Sequence, residues 1–262
     1  MSALLADSAQ IAADAPLAWA AALVGAYLVG SIPTAHLLAR RRGIDLGQVG
    51  SKSYGATNLG RTLGRTWGVA CFLLDALKGA VPVLMLGWLI GALGAAPGST
   101  PRETAWLWLA TATAAIVGHT LSPWIGFKGG KGVATGFGAL AAMWPVLTIP
   151  AGLALLLWCI LVLIFRMVSL ASMVAAVSVP CSVAVAALSA NGLGGVRDAV
   201  PYLAISALIA FFVVWKHRAN IERIRAGTES KVLQKKLVDP APGGGGGVKN
   251  AKDANPTTGT KP

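Results

Sequence analysis

The chain has 262 residues, is 55% hydrophobic and only 12% charged, and has a mean hydropathy of +0.66, which is too apolar for a soluble globular domain of this length. Its 22 Lys and Arg against 10 Asp and Glu give a formal charge of +12, which in a soluble chain would suggest nucleic acid as the partner. In a membrane protein the same excess marks loops on the cytoplasmic side, so the placement of the basic residues decides between the two.

The N-terminal stretch "MSALLADSAQIAADAP" carries Asp7 and Asp14 and has no basic n-region, so it does not read as a cleavable signal and the first apolar segment is expected to be retained. A helix needs about 20 apolar residues to cross the bilayer core. Candidate spans lie at 16 to 39, 66 to 92, 104 to 121, 132 to 146, 147 to 166, 169 to 190 and 200 to 216. The fourth is short, begins in a glycine-rich stretch and ends at Pro145 and Pro150, so it is expected as a partial or tilted span. Cys71, Cys159 and Cys181 each sit in an apolar run and form no metal-binding spacing; they are expected as small buried hydrophobes.

The loop from Arg40 to Arg65 carries Arg40, Arg41, Arg42, Lys52, Arg61 and Arg65. Lys128 and Lys131, then Arg166, then Lys216, Arg218, Arg223 and Arg225 follow on the same side. The opposite loops hold only Arg102 beside Glu103 and Arg197 beside Asp198. The fold expected is therefore an all-α integral membrane protein of seven transmembrane helices, N-terminus outside and C-terminus cytoplasmic. Because the charge divides among membrane loops and forms no single stripe, nucleic acid is not the expected partner. Residues 1–238 are expected as one transmembrane domain, and the glycine- and proline-rich 239–262 as a disordered cytoplasmic tail. No repeat of 20 to 50 residues and no inverted symmetry is visible, which disfavours a secondary transporter.

With seven alternating crossings, three polar islands share one membrane surface. In "GSKSYGATNLGRTLGR", Ser51, Ser53, Thr57 and Asn58 supply hydroxyl and amide groups, and Arg61 and Arg65 supply planar donor forks suited to phosphate. The alternative is an ordinary basic loop against lipid headgroups. In "GFKGGKGVATG", Lys128 and Lys131 stand among Gly129, Gly130 and Gly132, a pattern that can turn backbone N–H groups toward an anion at a helix start. Lys131 is followed by Gly132, without Ser or Thr, so this is not a nucleotide P-loop. His119, in "GHTLSPW" upstream, fits a structural role bonded to backbone as well as a catalytic one.

In "WKHRANIERIRAGTE", His217 and Asn220 are three residues apart and would share a helix face. They can orient and deprotonate a hydroxyl, or His217 can be the interfacial anchor of a basic amphipathic helix. Asp75 and Lys78, one helical turn apart inside a span, read as an internal ion pair that supports the site without doing its chemistry.

The order "GSIP", "SKSYGATNLGR", "DALKG", "GH…FKGGKGVAT", "HRANIERIRAGTE" resembles the bacterial acyl-phosphate:glycerol-3-phosphate acyltransferases, over about Gly30 to Glu229. The resemblance implies a membrane enzyme that moves a fatty acyl group from acyl phosphate to the 1-hydroxyl of sn-glycerol 3-phosphate. The products are lysophosphatidic acid and phosphate, in the first acylation of phospholipid synthesis. It implies no metal and no cofactor, and a site facing the cytoplasm of a bacterial inner membrane. The family's catalytic serine, arginine, histidine and asparagine fall on Ser51, Arg61, His217 and Asn220, and its phosphate loop on Gly129, Gly130, Lys131 and Gly132. Thr57, Asn58 and Lys128 are expected to bind substrate beside them, and Glu229 matches a glutamate read as structural. Where the first motif more often has asparagine and a branched aliphatic residue, this chain has Ser53 and Tyr54, so the resemblance assigns those two no role. The partners implied are the two substrates and membrane lipid, with a monomer as the working unit.

Overall fold

The computed structural model describes residues 16–95 and 98–232, and every regular element within them is helical. The N-terminal leader and the 239–262 tail considered above lie outside the described residues.

Helices α1 (Pro16–Gly30) and α2 (Thr34–Arg40) together occupy the first expected span. They are separate because Pro33 has no N–H to continue the ladder, a break that the apolar count over 16 to 39 does not register. The short amphipathic helix α3 (Ala56–Leu63) lies between Gly55 and Gly64 and leads into α4 (Arg65–Leu89). Then follow α5 (Arg102–Thr120), α6 (Val133–Ala141), α7 (Thr148–Phe165), α8 (Val168–Asp198), α9 (Val200–Lys216) and α10 (Arg218–Arg225). Helix α8 leaves helical geometry at Asn191 and Gly192, so its long apolar part ends where the sequence pattern ends it.

Among the described residues, four helical segments are long and apolar enough to cross a membrane: Pro16–Arg40, Arg65–Leu89, Thr148–Phe165 and Val168–Asp198. A fifth is α9 taken with α10, which bends away from it by 57°. Two of the seven expected crossings therefore do not stand on length and composition alone. Helix α5 carries Thr104, Thr111, Thr113 and Thr120, and it tolerates them because it is interior: Thr104, Thr111, His119 and Thr120 are all buried. Helix α6 has nine residues, a length of about 13 Å against a bilayer core of about 30 Å.

Outward along the helices stand Leu73, Leu77, Met85, Leu163, Ile164 and Phe211, a surface suited to lipid. Cys159 and Cys181 are exposed there and only Cys71 is buried, which corrects the expectation of three buried thiols. An apolar run does not tell a core-facing position from a lipid-facing one.

Two features place the site. Helices α4, α6 and α8 begin, and α5, α7 and α9 end, at junctions that meet around one cavity. Helices α4 and α6 also touch backbone to backbone: a Cβ at Gly79 would overlap the Thr135 carbonyl oxygen, and one at Gly138 the Ala76 carbonyl oxygen. That contact seats the start of α6 against the stretch of α4 that holds Asp75 and Lys78.

Candidate active site

Ser51 lies in a loop wound around one buried amide. The side chain of Asn58, 1% exposed, accepts the Ser51 N–H through Oδ1 at 2.9 Å. Its Nδ2 donates to the carbonyls of Val49 at 3.1 Å and Ser53 at 3.0 Å. With its polar valences engaged by backbone, Asn58 shapes the loop that presents Ser51. Arg61, at Asn58's next helical neighbour on α3, donates from Nη2 to the Ser230 carbonyl at 3.1 Å.

The glycine stretch leaves α5 through a short 3₁₀ turn, Pro123–Ile125, and re-enters helix at α6. Gly132 caps α6 with φ 80°, a left-handed conformation that glycine adopts without strain. Lys131, beside it, reaches across to donate from Nζ to Asn220 Oδ1. Burial lowers the Lys131 ammonium to a pKa of about 8, against the upward pull of the Glu229 carboxylate.

His217 sits just past the end of α9, at the bend into α10, and its Nδ1–H donates to the Val213 carbonyl at 2.8 Å. That bond leaves Nε2 as an acceptor in the neutral ring. Burial, reinforced by the nearby Lys131 charge, lowers the imidazole to about 4. Beyond α10 the chain turns back at Gly227, φ 69°, and delivers Glu229 into the interior. Its Oε1 accepts from Ser169 Oγ and from Asn220 Nδ2, each at 2.7 Å, and its Oε2 from Arg223 Nε at 2.8 Å. Burial alone would raise this carboxyl, but the three hydrogen bonds hold it below the usual range. The result is a chain of contacts from Arg223 through Glu229 and Asn220 to Lys131.

One polar cavity gathers most of the candidates. Ser51, Thr57, Asn58, Arg61, Lys131, Gly132, His217 and Asn220 all line it, although Ser51 and Asn220 lie 169 positions apart in the chain. Lys128 is exposed and does not line it, and neither do Gly129 and Gly130, which lie against the last turn of α5. The lining also includes Asp75 and Glu229, which sequence reasoning left in supporting roles, His119, which it left open between a structural and a catalytic role, and Ser169, which it passed over. Ser169 belongs to no motif. Its signal, a hydroxyl just inside the start of a span after Arg166, is too common to single it out.

A second, apolar cavity adjoins the first. Phe72, Gly132, Val133, Trp158 and Ser172 line both, and beyond them Phe137, Leu140, Leu155, Val179 and Ile209 line the apolar one. Among the described residues no three of His, Cys, Asp or Glu cluster as metal ligands. A charged, hydrogen-bonding chamber joined to an oily one between helices suits a molecule with an anionic head and a hydrocarbon tail.

Fold and site together define an all-helical, multi-pass membrane enzyme of lipid metabolism. Residues 20–227 match the family described as glycerol-3-phosphate acyltransferase, and the chain belongs to that family. It is 42% identical over 225 residues to a glycerol-3-phosphate acyltransferase of Acaryochloris marina, covering 82% of this chain and 93% of that one. To the enzyme of the same name from Geobacter sulfurreducens it is 42% identical over 206 residues, covering 79% and 93%. Among solved structures it is similar to PlsY (YgiH), an integral membrane glycerol 3-phosphate acyltransferase. The glycerol 3-phosphate form matches with TM-score 0.68 and 34% identity, over 81% of this chain and 94% of that one. The lysophosphatidic acid form matches with TM-score 0.66 and 33% identity over the same shares.

Proposed function

We propose that this site transfers a fatty acyl group from acyl phosphate to the 1-hydroxyl of sn-glycerol 3-phosphate, the first acylation of phospholipid synthesis. The observation that carries this reading is the junction of the two cavities. Ser51, Arg61, Lys131 and His217 face the polar one, which meets the apolar one at Phe72 and Trp158. The acyl tail lies in the apolar cavity and its carbonyl at the junction. The donor phosphate rests on the backbone of Lys131 and Gly132, the part of the glycine loop that lines the cavity, and on the start of α6.

Arg61 and Lys131 hold the phosphate of glycerol 3-phosphate, while Ser51, Thr57, His217 and Asn220 orient its hydroxyls. Lys128, outside the cavity, draws anionic substrates and headgroups to the surface. In the reaction the 1-hydroxyl oxygen bonds to the acyl carbon, the bond from that carbon to the phosphate oxygen breaks, and inorganic phosphate leaves. An acyl phosphate is already an activated mixed anhydride, so positioning and charge stabilisation suffice and no acyl-enzyme is required. Burial and the Lys131 charge keep the His217 ring neutral, which suits Nε2 to accept the hydrogen bond that aims the hydroxyl, and in this reading a substrate phosphate oxygen takes the proton.

The reading carries a topology with it. Seven elements cross or enter the bilayer, α5 from the interior of the bundle and α6 only part-way. The basic junctions place the site on the cytoplasmic face of a bacterial inner membrane, with the N-terminus outside. In this reading residues through 238 belong to one catalytic unit that works as a monomer, and the tail 239–262 has no catalytic part. The test is direct. Purified protein in detergent should form lysophosphatidic acid from palmitoyl phosphate and glycerol 3-phosphate, and none when palmitoyl-CoA replaces the acyl phosphate. Product from the CoA donor alone would overturn the reading.

A further inference from the structure

Two buried groups to which the reaction assigns no substrate contact meet beneath the glycine loop. His119, in the last turn of α5, is 6% exposed and Asp75, in α4, is 2% exposed. Asp75 Oδ1 accepts from Thr34 Oγ1, pairs with Lys78 Nζ at 2.7 Å and faces His119 Nδ1 at 3.6 Å. Lys78 also donates to the Ile32 carbonyl at 2.7 Å, so the carboxylate is pinned from α4 and from the break before α2 at once.

The other edge of the imidazole faces the loop. A Cβ at Gly130 would overlap His119 Nε2 and stand 2.8 Å from Cε1, and a Cβ at Gly129 would overlap the His119 carbonyl oxygen. The Gly129 N–H donates to the Thr120 carbonyl at 3.2 Å. The loop thus lies directly on the ring and backbone of the last turn of α5.

We infer that Asp75 and His119 are positioning residues: the carboxylate fixes the imidazole, the imidazole seats Gly129 and Gly130, and that seat sets where Lys131 and Gly132, which line the cavity, meet the donor phosphate. The inference rests on the reading of that loop as phosphate-binding. Glycines impose little conformation of their own, so a rigid floor under Gly129 and Gly130 helps to fix the Lys131 and Gly132 N–H groups that follow. A buried ion pair such as Asp75–Lys78 adds little to stability over an apolar replacement, so its place beside His119 is better explained by geometry. A misplacement of about 1 Å can cost about 100-fold in rate.

The experiment is steady-state kinetics of the full chain in detergent, with palmitoyl phosphate and glycerol 3-phosphate varied separately and thermal unfolding followed alongside. The variants are Gly130→Ala, His119→Ala, His119→Gln, Asp75→Asn and the double His119→Ala/Gly130→Ala. The expected result is that His119→Ala raises KM for palmitoyl phosphate about tenfold and leaves KM for glycerol 3-phosphate within about twofold. Asp75→Asn moves the same constant in the same direction, and His119→Gln, which keeps bulk under the loop, moves it less. Gly130→Ala also raises the donor KM, and the double variant recovers part of that loss because the ring its methyl would overlap is gone.

If Gly130→Ala raises the donor KM and neither His119 variant does, the positioning role is overturned while the phosphate-loop reading stands. Losses that simply multiply in the double variant, or a fall in thermal stability with no split between the two KM values, overturn it as well. If Gly130→Ala changes neither KM, the phosphate-loop reading fails and takes this inference with it.

Discussion

Lys131 and His217 line the same cavity with opposite needs: one must carry a proton to hold a phosphate, the other must lack one to accept a hydroxyl. With Lys131 lowered to about 8, its charge is present below that pH and is lost as pH rises through it. With His217 lowered to about 4, its acceptor is present above that pH and is lost as pH falls through it. The kcat/KM for glycerol 3-phosphate should therefore fall on the alkaline side near pH 8, and on the acid side first at about pH 6, where the phosphate that accepts the proton is itself protonated, before His217 titrates. Lys131→Arg, whose guanidinium stays charged, should move that fall to higher pH; an alkaline limb unchanged in this variant would remove Lys131 from phosphate binding.

Arg61→Ala should abolish lysophosphatidic acid formation while the protein still accumulates in the membrane, and wild-type turnover would take Arg61 out of the site. Asn58 requires a different expectation. Its motif reads from sequence as substrate-binding, but that reading cannot see that the amide is buried and its polar groups engaged by backbone. Asn58→Leu should then lower thermal stability as well as activity, by about 1–3 kcal/mol for the unpaired groups it leaves. An activity loss with unchanged unfolding temperature would make Asn58 a binding residue instead.

At the scale of elements, apolar length located α4, α7 and α9 closely; α9, expected over 200 to 216, is Val200–Lys216. The same reading could not show the break at Pro33 as a division into two helices, nor that α5 is central enough to keep four threonines. Both depend on what surrounds a helix, which hydropathy along one chain does not contain. Helix α6 is the instructive case, because its shortness was visible in the glycines and prolines around it while its partner was not. What holds it is the close approach to α4 at Gly79 and Gly138. Gly138→Ala should force these helices apart, at a cost of about 1–3 kcal/mol in unfolding measurements. Because α6 begins at the glycine loop, the same variant should raise KM for palmitoyl phosphate. A destabilised variant with an unchanged donor KM would show that the loop's position does not depend on that packing.

For the whole molecule, the sequence motifs lie far apart and come together only because successive helices alternate direction. The junctions before α4, between α5 and α6 and after α9, and the first residues of α8, each contribute side chains to the polar cavity. Alternation also sorts charge. Of the exposed basic residues described, Arg102 and Arg197 alone mark the far end, where Arg102 donates from Nη2 to the Arg197 carbonyl at 3.1 Å and Glu103 and Asp198 stand beside them. A field this one-sided fixes orientation through the cost of carrying Lys and Arg across the bilayer, so the site end should face the cytoplasm.

Cysteine labelling can read this directly, in a background with Cys159 and Cys181 replaced by alanine and Cys71 left buried. A membrane-impermeant maleimide applied to intact cells with a permeable outer layer should modify Glu103→Cys and spare Lys52→Cys and Lys128→Cys until the inner membrane is opened. The reverse pattern would turn the site outward, where glycerol 3-phosphate made in the cell could not reach Arg61. Labelling of both ends in intact cells would mean that the chain does not keep one orientation, and basic asymmetry would then not be what sets it.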